Sequence, residues 1–283
     1  MKRIFLIIIT AVCLANDCKT QPLLDIIKIH YQASPDAGAF RQNLVHNNTR
    51  CLNAELNLPV KFKNKKSILL VSPAFEETKF NFPRKDTRDV LVKGWTLPLL
   101  WIQTINTRWT VTVGTIVRNN AEQFDLKKAW QVGGIALATF EQSKQLKYKL
   151  GLYYNSELFG PFFVPLLGID WRTDKTNIYG VLPGNFTIER KLSAVFYCGA
   201  TFRSITHSYQ LVDNKFIRIS DNQLGLFVDY YLAKHIVLNV EAGHTFFRRI
   251  RLGDNYNHPD YYFTAKTNDN WLLNGGLAYR FRL

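Results

Sequence analysis

The feature that most constrains this chain is an alternation that runs to its last residue. Leu273, Gly275, Leu277, Tyr279, Phe281 and Leu283 fall on one face; Asn274, Gly276, Ala278, Arg280 and Arg282 fall on the other. A period of two puts successive side chains on opposite sides of an extended strand. Chain ends of soluble domains usually fray into solvent. A terminal strand with one apolar and one cationic face instead suits the closing stave of a membrane β-barrel, with lipid outside and water or polar groups inside.

The other end agrees. Lys2 and Arg3 precede the apolar run Ile4 to Leu14, and Ala15, Asn16 and Asp17 follow. A basic start, a short apolar core and a small-residue exit read as a secretory signal peptide, with cleavage expected after Ala15. The run is shorter than the roughly 20 residues that a spanning helix needs. Lipidation at Cys18 is the alternative, and the charge of Asp17 fits that signal poorly. The expected organisation is a signal peptide over 1–15 and one barrel domain over 16–283.

No later segment reads as a spanning helix. The most apolar stretch, Gly160 to Ile169, is broken by Pro161 and Pro165. The chain is therefore either secreted and soluble or crosses a membrane as strands. Its net charge is +14. Loss of Lys2 and Arg3 leaves about +12, which suits anionic headgroups, lipopolysaccharide phosphates or an anionic solute. A signal peptide argues against nucleic acid. Cys13 leaves with the signal peptide, and Cys18, Cys51 and Cys198 remain. That odd number makes no full disulfide framework, although Cys18 and Cys51 have the option of pairing. No metal-ligand spacing and no cofactor motif occurs.

The alternation recurs along the chain. Clear segments are 52–62, 109–117, 146–155, 192–203, 224–232 and 236–246; weaker ones are 25–32, 67–77, 90–103, 130–140, 166–172, 177–189 and 261–266. Many approach the 9–11 residues of a tilted membrane strand, longer than the five or six usual in soluble domains. The expected fold is all-β: a single antiparallel transmembrane barrel of about 12 strands, within a range of 10 to 14. Short turns at Asn64-Lys65, Asp174-Lys175 and Ala233-Lys234 would face one side. Longer connections at Ala33–Arg50, Thr78–Asp89, Ser204–Asn222 and Arg251–Asn257 would face the other.

Three stretches carry a resemblance. They are Leu56-Asn57-Leu58-Pro59-Val60-Lys61-Phe62 with the basic turn after it, Ile178-Tyr179-Gly180-Val181-Leu182-Pro183, and Tyr230-Tyr231-Leu232 leading towards Gly243 and the terminal strand. With them the chain resembles the uncharacterised outer-membrane β-barrel proteins of Bacteroidota-type bacteria, a domain family of unknown function. The resemblance implies the outer membrane of a Gram-negative bacterium and a barrel, and it implies no reaction. Barrel-assembly machinery would read the terminal strand Leu273 to Leu283, where Tyr279 and Phe281 keep the expected phase although the last residue is Leu283.

Several groups are candidates for a site. Asp229 and Glu241 lie on polar faces of neighbouring strands and, with Arg203, Arg280 and Arg282, would form a lumen network of salt bridges that holds the barrel round. Arg248, Arg249 and Arg251 would contact lipid phosphates. Ser204, His207 and Asp213 are the best local set for a rim hydrolase, and without a nucleophile elbow they make a thin case. The expected role is a narrow pore, a solute or lipid carrier, or a structural barrel, not an enzyme. The rival is a secreted soluble β-sandwich that binds glycans, in which Leu224, Leu226 and Val228 would pack against a second sheet.

Overall fold

The structure, a computed structural model, describes residues 23–35, 48–64, 66–81, 89–124, 127–254, 256–258, 260–266 and 269–282. The expected signal peptide, Cys18 and most of the expected loops at 33–50 and 78–89 lie outside them. The described strands are β1 Leu23–Ser34, β2 Asn48–Leu56, β3 Leu58–Lys61, β4 Ser67–Val71, β5 Ala74–Asn81, β6 Val90–Thr104, β7 Trp109–Ala121, β8 Trp130–Glu141 and β9 Leu146–Glu157. They continue as β10 Gly160–Arg172, β11 Thr176–Leu182, β12 Asn185–Lys191, β13 Phe196–Gln210, β14 Phe216–Tyr231, β15 Ile236–Gly253, β16 Phe263–Lys266 and β17 Trp271–Arg282. No helix among the described residues is long and apolar enough to cross a membrane.

Successive staves of the wall pair antiparallel, and β1 closes the ring on β17 from Leu23↔Arg282 to Ala33↔Leu273. Three pairs of segments act as single staves. β2 and β3 break at Asn57, whose N–H donates to Ile26 O. β4 and β5 both lie along β6, and β16 and β17 both lie along β15. The result is a closed barrel of fourteen staves. The count is above the expected 12 and at the top of the expected range of 10 to 14, and 177–189 is not one strand. It is the hairpin β11–β12, turned at Pro183-Gly184, while 261–266 joins the last stave instead of forming its own.

Short turns gather at one end because side chains close them. Asn64 Oδ1 accepts the N–H groups of Lys66 and Ser67 at 3.0 and 3.1 Å, and Asn106 Oδ1 accepts those of Arg108 and Trp109 at 2.9 Å. Ser143, Thr173 and Ser193 do the same in later turns. Asx and Ser/Thr turns of this kind reverse a chain within a few residues.

The outward face is an apolar belt. Leu150, Leu167 and Leu226 are 63%, 62% and 69% exposed. Ring pairs mark its borders. Phe62–Trp101, Trp109–Phe140 and Phe196–Tyr230 lie towards the short turns; Phe75–Trp95, Tyr154–Phe163 and Phe202–Phe246 lie towards the other end. Trp95 to Trp101 covers roughly 20 Å along the strand at about 3.3 Å per residue. A soluble monomer does not present such a continuous apolar surface; a lipid-facing barrel does. Leu224, Leu226 and Val228 belong to this belt and pack against no second sheet, which removes the sandwich.

Candidate functional site

The lumen is the candidate site, and its two halves are filled differently. Near the short turns, wall side chains fill it. Arg282 makes a bidentate bond to Glu189 at 2.7 and 2.9 Å, donates to Tyr231 OH at 2.6 Å and stacks on Tyr197 at 3.4 Å. Arg280 bonds Asp25 through Nε at 2.5 Å and Nη2 at 2.9 Å, and it also bonds Asp229. Asn239 donates to Asp229 at 2.6 Å and Asn177 to Glu189 at 3.1 Å. Next along the lumen, Arg203 bonds Glu241 and donates to Gln223 at 3.3 Å. Gly225 makes this possible, since a Cβ there would collide with the Glu241 carboxylate. On the far wall Lys149 pairs with Asp170 at 3.6 Å.

Most of these charges are buried, with Glu189 and Asp229 at 0% and 1% exposure, while Arg203 and Arg282 are half-buried. A buried charge needs both an opposite charge and hydrogen bonds to remain ionised. Arg280 and Arg282 meet that need through bidentate geometry, which a lysine does not offer.

In the other half the wall itself turns inward. β13 pairs with β12 only from Asn185↔Arg203 to Lys191↔Tyr197. From Ser204 on it leaves that neighbour and crosses the lumen with β14 beside it. The Ser208 N–H and Oγ donate to Glu157 Oε2 at 3.1 and 2.5 Å, and Gln131 Nε2 donates to Ser208 O at 2.9 Å. Glu122 N–H donates to Gln210 O at 2.8 Å, and Tyr209 OH donates to Glu76 on the opposite wall. One face of this arm packs Tyr209, Leu211, Ile217 and Ile219 against Phe80, Val90 and Val92. The other packs Phe216 against Leu158 and Phe159. A cavity of about 60 Å³ remains under the arm beside Cys51 and His207, and one of about 500 Å³ opens near the short turns beside Tyr197, Lys234 and Arg282.

The geometry redistributes the expected site residues. Arg203, Glu241, Asp229, Arg280 and Arg282 all face the lumen. Arg282 is held by Glu189, and Arg280 shares Asp25 with Asp229. Asp25 and Glu189 were legible only as polar-phase residues of weakly patterned segments. Arg248 is no lipid contact. It is buried and donates to Ser34 Oγ at 3.2 Å and Thr49 Oγ1 at 2.7 Å. The cause is a bulge where Phe247 has φ 56°, opposite the register shift between Ser220 and Asn222. An extra residue swaps the two faces of the strand beyond it. Arg249 is exposed, and Arg251 lies 5.1 Å from the Tyr261 ring.

The expected loop 204–222 is mostly strand, and it is the lumen arm. Ser204 and His207 stand three residues apart on β13, hence on opposite faces, and are not brought together. His207 sits beside Tyr209 OH at 3.4 Å; Asp213 lies in the one-turn segment Val212–Asn214. Ser208 is committed to Glu157. Among the described residues no cluster suits a metal ion.

Fold, belt and lumen together define a transmembrane β-barrel of the outer-membrane class. Residues 46–280 match the family described as a domain of unknown function (DUF6268), and the chain belongs to that family. The fold is similar to that of an outer membrane channel from Pseudomonas putida F1, with a TM-score of 0.52, 9% identity, and coverage of 90% of this chain and 94% of that one. The NanC porin (TM-score 0.41, 8% identity, 89% and 98% coverage) and the KdgM porin (TM-score 0.38, 9% identity, 90% and 99% coverage) are more distant. Only the first is near enough to bear on the fold. No curated protein matches the sequence.

Proposed function

We propose that this protein is an outer-membrane barrel of a Gram-negative bacterium, of the Bacteroidota type that the sequence resembles, and that it works as a narrow gated channel closed at rest. The observation that carries this reading is the β13–β14 arm, hydrogen-bonded to four other staves across the lumen. Its cross-lumen contacts, hydrogen bonds together with the apolar clusters around Ile217 and Phe216, are all made by one hairpin, so they part together as a local unit. Opening would move the arm; the ion-pair network would hold the barrel round meanwhile.

In this reading the short-turn end faces the periplasm, and Leu273 to Leu283 is the segment read by the barrel-assembly machinery. Arg249, near the long-loop end, contacts lipid or lipopolysaccharide phosphates. The test is conductance in planar bilayers of protein that shows a heat-dependent gel shift. Wild type should stay closed, and the double variant Ser208→Ala, Tyr209→Phe should open in discrete steps. Equal conductance of the two would refute gating by the arm.

A further inference from the structure

The wall has a seam. β10 pairs with β9 along its whole length, from Gly160↔Glu157 to Trp171↔Leu146, but with β11 only from Leu167↔Leu182 to Arg172↔Asn177. β11 and β12 stop early, and β13 turns inward above them. Residues 160–166 of β10 therefore have a strand on one side only.

The sequence is adapted to that edge. In an antiparallel strand, successive residues direct their backbone groups to alternate neighbours. Arg172 N–H donates to Gln145 O on the β9 side, and Thr173 N–H donates to Thr176 O on the β11 side. Odd-numbered residues of β10 thus turn their backbone to the open edge: Pro161, Phe163 and Pro165. Two of these three lack an N–H. Proline is what an unpaired edge tolerates, and an open edge next to hydrocarbon is otherwise costly.

The side chains change character at the same point. In the paired half of β10 the inward positions are Gly168, Asp170 and Arg172; in the unpaired half they are Phe162, Val164 and Leu166. Along the seam both faces of the strand are apolar. The outward residues there, Phe163 and Leu167, belong to the lipid-facing belt, and Phe163 packs on Tyr154 at 4.8 Å.

We infer that the seam between β10 and β13, above the β11–β12 turn, is a lateral slot for an acyl chain of an outer-membrane lipid. A partner strand is a poor occupant, because it needs the donors that Pro161 and Pro165 remove. Water is also a poor one, because both faces are apolar. Hydrocarbon needs no donors and lies beside the rim.

The test uses wild-type protein in phospholipid vesicles doped with a phospholipid that carries a diazirine in its acyl chain, with labelled residues mapped by mass spectrometry. Labelling should reach the half-buried inward residues Phe162 and Val164 as well as outward Phe163 and Leu167. It should spare Thr201, a lumen-facing residue behind an intact wall. Label confined to outward residues would overturn the slot. In Val164→Asp, checked for folding by its heat-dependent gel shift, label at Phe162 should fall to the level of Thr201, while Leu226 is unchanged. Persistent label at Phe162 would also overturn it. The readout does not depend on conductance, so slot and gated channel stand or fall separately.

Discussion

The two halves of the lumen reach the same end by different means. Near the short turns, the wall keeps its circular course and long charged side chains fill the space. Near the long loops, β13 leaves β12 and turns inward beside β14, which stays paired with β15, and backbone fills the space. The first solution stores its energy in a few buried ion pairs, each intolerant of losing one partner. The second spreads it over hydrogen bonds and apolar contacts made by one hairpin. The proposed gate assigns rigidity to the first half and movement to the second.

The comparison breaks most visibly if the arm is removed. Excising residues 205–221 and joining Ser204 to Asn222 through an Asn-Gly turn, a natural hairpin connection, should convert a closed barrel into one with steady conductance. Planar-bilayer recording checks this; a barrel still closed would place the barrier in the ion-pair half.

The next effect is on stability. Glu189→Ala leaves the half-buried Arg282 without its bidentate partner and should cost about 3–5 kcal/mol, read as a lower temperature of the gel shift. Asp229→Ala should cost less, about 1–3 kcal/mol, because Arg280 retains Asp25. Equal losses would mean that the network does not act as separate pairs.

In the arm half, Glu157→Gln keeps the shape but removes the charge that accepts two bonds from Ser208. A loss of about 1–3 kcal/mol is expected, confined to the arm and seen as faster amide exchange at Ser208 without a change in the gel-shift temperature. A global loss would show that the arm does not move as its own unit. The smallest effect is expected at the bulge. Phe247 has φ 56°, a conformation that glycine adopts without strain, so Phe247→Gly should be neutral or stabilise by about 1 kcal/mol. A large loss in thermal stability would mean that the ring, and not the backbone, sets the bulge.

Most of the barrel was legible in the residues. Alternation in Leu273 to Leu283, Leu224 to Leu232 and Leu146 to Asn155 reports a strand with lipid on one side, because the two-residue period is a local property of extended backbone. The same alternation placed Asp229, Glu241, Arg203, Arg280 and Arg282 on the lumen side. Alternation says which face a residue takes but not which staves are opposite, so the pairing of Arg282 with Glu189 required the closed ring. It also fails where the period slips, as at Phe247, and Arg248 was misplaced for that reason.

What the sequence determined by itself was the class of fold, the lipid-facing side of each regular strand and the polarity of the lumen, all set by neighbours along the chain. Tertiary structure alone decided that fourteen staves close, that 204–222 leaves the wall, and that the apolar stretch Gly160 to Ile169 borders a seam. Those outcomes depend on the shortness of β11 and β12 and on contacts such as Tyr209 with Glu76, more than a hundred residues apart. No local pattern encodes a partner at that distance; only the packing of the whole ring selects it.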